Sequence, residues 1–148
     1  MPEAGRAIIQ DQVAIGGGAL PWADRSAFAE LMLSWEMRSH RSALERSGPV
    51  VFDRGVPDVV GYLRLSGISV PEHVDCAARL FRYHRRVFVA PPWPEIYTQD
   101  TERKQTLAEA EATCKAMMEA YTAYGYELIL LPLDTEEARV EFVLEAIG

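Results

Sequence analysis

The chain has 148 residues, 15 Lys+Arg against 22 Asp+Glu, and a net charge of −7. With 49% hydrophobic and 25% charged residues it has the length and composition of one folded domain, not of a disordered chain. No apolar run approaches the ~18 residues of a membrane span, the first residues lack a secretory layout, and the acidic balance argues against a broad nucleic-acid surface.

Helix signals come first in chain order. Ala7, Ile8, Ile9, Val13 and Ala14 suggest a helix from about residue 3 to 15, ended by Gly16-Gly17-Gly18. Asp24 is placed to cap a longer helix whose broad apolar face carries Phe28, Leu31, Leu33, Trp35, Met37 and Leu44, closed by Ser47-Gly48. Pro49-Val50-Val51-Phe52-Asp53 is a short apolar, β-branched run ending in a charge, the pattern of a buried parallel strand. Helices are expected over about 57–65 and 71–83. Arg86–Ala90 reads as a second buried strand, stopped by Pro91-Pro92-Trp93-Pro94. A long helix over about 106–123 ends at Gly125, and Glu127–Pro132 reads as a third strand. Asp134-Thr135-Glu136-Glu137 caps a last helix carrying Val140, Phe142, Val143 and Ile147. Strands alternating with helices predict an α/β fold with a mainly parallel sheet. Three strands are few for so many helices, so part of the sheet is expected to be missing from the chain.

Candidate chemistry gathers at Asp53-Arg54-Gly55. An acidic residue directly after a buried strand lies at the carboxyl edge, where open α/β sheets bind ligands. Asp53 there can hold Mg²⁺ directly or through water, and Arg54 can grip a phosphate bidentately. The plainer alternative is an Asp capping the next turn and a surface Arg. Tyr97–Lys104 precedes the long helix; Arg103 and Lys104 could fold over a nucleotide and neutralise its phosphates, or be ordinary charges at a helix start. Glu3 and Arg6 stand one helical turn apart, either a surface ion pair or a base with a phosphate ligand. Arg79, Arg82, His84, Arg85 and Arg86 precede the second strand at its amino edge and read as a solvated face. His40, His73 and His84 show no ligand spacing, and no GxSxG or Cys/His signature appears. Cys76 and Cys114 read as reduced thiols of a cytoplasmic protein. The tryptophans Trp22, Trp35 and Trp93 read as packing residues, Trp93 in its proline loop being the candidate to stack a base. The loop G-x-x-x-x-G-K-[ST] occurs nowhere, and Gly16-Gly17-Gly18 lacks its Lys and Ser/Thr.

Pro2–Arg6, Leu20–Arg25, Phe52–Asp58, Tyr62-Leu63, Tyr83, Pro91–Trp93, Ile96-Tyr97, Gln99-Asp100, Glu102-Arg103, Tyr121 and Gly125–Leu128 stand in an order and spacing that resembles a bacterial P-loop NTPase family. It is the AAA-domain ATPase group related to the nucleotide kinase module of NadR-like proteins. The resemblance implies a three-layer, nucleotide kinase-like P-loop NTPase with its N-terminal strands missing from this chain. It implies one incomplete domain over 1–148 with a lid-like segment at about 94–106. It makes Asp53 and Arg54 a Walker-B or DR-type motif with Asp53 on Mg²⁺, Arg103 a lid arginine, and Glu3 a catalytic acid just after the second sheet strand. Arg6, Lys104 and Arg103 become phosphate ligands. Mg²⁺ and ATP are the implied cofactors of an intact protein, with an unnamed small-molecule acceptor and with neither nucleic acid nor membrane as partner. Family members begin with a strand, the phosphate loop, a helix and another strand, all absent here. A start assigned at an internal Met, a truncated chain and a degenerate protein are the expectations this raises. The competing readings are a non-catalytic binding or scaffold protein keeping the α/β frame, and an obligate homodimer whose partner fills the open sheet edge.

Overall fold

The computed structural model describes residues 1–95 and 106–148. It contains six helices and two strands among the described residues. The chain forms two compact units, Met1–Tyr83 and His84–Gly148.

The first unit is helical. α1 (Ala4–Ile15) ends where Gly16 turns left-handed at φ 68, a conformation that glycine adopts without a Cβ penalty. α2 (Arg25–Leu44) starts at the expected Asp24, whose side chain accepts the Ala27 N–H at 3.0 Å. Asp24→Ala is therefore expected to cost about 1 kcal/mol in a urea denaturation curve. α3 (Val56–Leu65) carries Pro57 in its first turn, and Asp58 reaches back to accept the Gly55 N–H at 2.9 Å. α4 (Glu72–Leu80) follows Pro71. α2 packs against α1 and α3, and α3 against α4. The core is the apolar face of α3 (Val56, Val59, Val60, Leu63) meeting Val74, Ala77 and Ala78 of α4, with Phe28, Ala29 and Leu33 from α2.

The predicted strand at Pro49–Asp53 does not form. The segment pairs with a single residue: the Met1 ammonium donates to the Val51 carbonyl at 2.6 Å, and the Asp53 N–H donates to the Met1 carbonyl at 3.0 Å. Those two bonds are one bridge of a parallel ladder. No neighbouring strand extends it among the described residues, so Val51 is 68% exposed, not buried.

The second unit holds the sheet. β1 (Arg86–Val89) and β2 (Glu127–Leu130) pair in parallel, with Arg86 opposite Glu127 and Val89 opposite Leu130. α5 (Leu107–Ala123) connects them, capped by the Thr106 hydroxyl on the Glu109 N–H. α6 (Glu136–Ile147) is capped by Thr135, with Phe142 set edge-on to Phe88 at 6.5 Å. The third predicted strand stops at Leu130, before the expected Pro132. Among the described residues the sheet therefore has two strands, not three: the run ending at Asp53 fails to join it.

Candidate functional site

The site is built at the junction of two helix N-termini in the first unit. Glu3 is the residue before α1, and Gly55 the residue before α3. Arg54 stands beside Gly55 with φ 72, the one left-handed residue other than glycine among the described residues. Its guanidinium lies 3.8 Å from the Glu3 carboxylate and 3.8 Å from Asp58. Carboxylates suit this place, because helix N-termini carry partial positive charge. Both pairs are longer than a hydrogen bond, and the Arg54 side chain is 45% exposed. They hold the guanidinium weakly, so a phosphate offering two short charge-assisted bonds would displace them.

Beneath this rim lies Glu36 of α2. It is 4% exposed, and among the described residues it makes no hydrogen bond or ion pair. Burial, then the charges of Asp58, Glu3 and Asp53, push its carboxyl up from 4.5 to about 7, while Arg54 pulls it down. Sequence reading missed this residue, although a signal exists. Ala29, Leu33, Glu36 and His40 recur at helical spacing, so a carboxylate stands on the stripe that buries α2.

Of the predicted residues, the structure brings Glu3 and Arg54 together, with Asp53 adjoining and near enough to act on Glu36. It separates Glu3 from Arg6: Glu3 turns to Arg54, and Arg6 stays exposed on α1. The i, i+3 spacing offered the nearer partner, but Glu3 lies before the first turn, and the loop at Arg54 competes for it. Arg103 and Lys104 lie outside the described residues, as does most of the lid-like segment. Trp22, expected to pack, is 68% exposed, while Trp93 lies under the Arg139 guanidinium at 5.8 Å. The basic residues of 79–86 are spent locally: Arg79 on Asp75 at 3.0 Å, Arg85 near Glu127 at 3.7 Å, and Arg86 on the Ala146 carbonyl at 2.7 Å. Burial pushes the Cys114 thiol up, which keeps it in its unreactive form.

No three His, Cys, Asp or Glu side chains among the described residues form a ready metal cage. Asp53 is exposed. No described helix is long and apolar enough to cross a membrane.

The fold is mixed α/β with a small parallel sheet, and its site presents a carboxylate and an arginine on one turn. The AAA domain family matches residues 1–139, and the chain belongs to that family. Membership brings nucleotide binding and P-loop NTPase character in general. Neither a curated protein nor a solved structure matches the chain.

Proposed function

We propose that the chain is the ATP- and Mg²⁺-binding frame of a P-loop ATPase or small-molecule kinase, nucleotide kinase-like and three-layered when its sheet is complete. The carrying observation is the Asp53–Arg54 turn, with Arg54 left-handed and only loosely paired to Glu3 and Asp58. In this reading Arg54 turns from those carboxylates to the phosphates and neutralises charge that develops there. Asp53 holds the metal through oxygen, and the metal supplies neutralisation of the phosphate oxygens. Glu3, freed from Arg54, takes the proton of an acceptor hydroxyl. Arg6, Arg103 and Lys104 are further phosphate ligands. The β- and γ-phosphate cradle is not among the 148 residues, since they contain no G-x-x-x-x-G-K-[ST].

Without that cradle, Mg·ATP affinity of the 148-residue chain is expected to be weak, with Kd on the order of 1 mM. Titrating Mg·ATP into ¹⁵N-labelled protein should move the amides of Asp53, Arg54 and Gly55. Asp53→Asn should abolish the Mg²⁺-dependent part of the response. If the amides ignore Mg·ATP while the chain unfolds cooperatively, the catalytic reading falls. The absence of the loop then favours the binding or scaffold protein.

A further inference from the structure

We propose that Tyr83 is the positioning residue of the Asp53–Arg54 turn. The inference rests on the nucleotide-binding reading for its functional meaning, but its first readout needs no nucleotide.

The turn is not self-supporting. Arg54 occupies a left-handed backbone conformation at φ 72, which a residue with a side chain adopts when its surroundings impose it. Tyr83 grips the chain on both sides of that residue. On the far side its hydroxyl accepts the Val56 N–H at 3.0 Å. Val56 is 0% exposed, so no water can replace that acceptor. The hydroxyl end of the same ring lies against Gly55: a Cβ there would fall 2.7–2.9 Å from its Cζ, Cε2 and hydroxyl oxygen. Gly55 itself is extended at φ −160, so glycine is needed for the approach of the ring, not for its own backbone. On the near side Phe52 meets Tyr83 edge-on at 5.1 Å. His40 braces both rings, 5.2 Å from Tyr83 and 6.3 Å from Phe52, and its Nε2 is fixed to the Arg82 carbonyl at 2.7 Å. Phe52 and Val56 are thus clamped by one side chain, and Asp53, Arg54 and Gly55 span the gap. The clamp leaves the Arg54 side chain on the rim, where it can exchange carboxylates for an anion.

Tyr83→Phe keeps the ring and removes the acceptor. Amide exchange at Val56 should quicken by about tenfold, the effect of leaving a buried N–H unpaired, and exchange at Gly55, whose N–H stays on Asp58, should quicken with it as the turn loosens. The Arg54 N–H to Hα coupling should move off its left-handed value, while the α4 amides of Ala77 and Ala78 stay as they are. Unchanged Arg54 coupling, with faster exchange at Val56 alone, would reduce Tyr83 to a local cap and overturn the proposal. Gly55→Ala tests the other contact. It should disturb Arg54 in the native background and far less in a Tyr83→Ala background; equal disturbance in both overturns the proposal. In the functional arm, Tyr83→Phe should weaken Mg·ATP binding by about tenfold. A native chain indifferent to Mg·ATP, but with the Arg54 response intact, removes the nucleotide reading and leaves the positioning role standing.

Discussion

Glu36→Gln is expected to stabilise the protein at pH 8 and to leave its stability at pH 4 unchanged. The sign follows from linkage. The Glu36 carboxyl sits at about 7 in the folded chain, against an ordinary value of 4.5. The folded state therefore holds a proton that the unfolded state releases. Its contribution is fully present below pH 4.5, falls through the window from 4.5 to about 7, and is lost above that. Full conversion of the shift gives about 3 kcal/mol; water at the exposed rim screens part of it, leaving about 2 kcal/mol. Denaturation curves at half-unit pH steps check this. The native protein should lose stability across the window and Glu36→Gln should show a flatter profile. Parallel profiles would mean that the carboxyl is not held away from water.

Leu63→Ala is the second large effect, expected to cost about 3 kcal/mol. Leu63 is 2% exposed, on the same face of α3 as Val56, Val59 and Val60, and α3 packs on α2 and α4. Val59 and Val60, one turn earlier on the same buried face, are β-branched with stiff rotamers, which limits how far the vacated space can close. The urea midpoint should fall by roughly 1–2 M at typical slopes. A loss under about 1 kcal/mol would show that the α3 face relaxes around the cavity. This variant also separates structure from site, because Leu63 lies a helix length away from the Asp53–Arg54 turn.

The helices were legible in the sequence because their signals are local. Asp24 and Thr135 cap where they stand, and Gly16 and Gly125 turn left-handed where the apolar period stops. The strands Arg86–Val89 and Glu127–Leu130 were legible for the same reason: each is a short apolar run bounded by breakers, and each finds the other. Pro49–Asp53 carries an equally clear strand pattern, yet a strand exists only where a neighbour accepts its ladder bonds, and Met1 offers one bridge.

The site divides along the same line. Residue chemistry nominated Asp53 and Arg54, since a carboxylate able to hold Mg²⁺ and an arginine able to grip a phosphate follow an apolar run, and the family resemblance added Glu3. It could not reveal that Glu3 abandons Arg6 for Arg54, a partner 51 positions away, because ion-pair choice depends on distance through space. Nor could it weigh Glu36, whose proton depends on how fully α1 and α3 shut out water and how near Asp58, Glu3 and Asp53 come. Tyr83 was visible as a residue but not as a clamp, since its two contacts with Gly55 and Val56 exist only once α3 and the chain after α4 are folded together. Near neighbours and composition were enough for the helices, the αβ alternation and the excess of acid. The tertiary structure alone decided which strand pairs, which carboxylate Arg54 meets and which carboxyl keeps its proton, because hydrogen bonding, charge pairing and desolvation are set by distance in space.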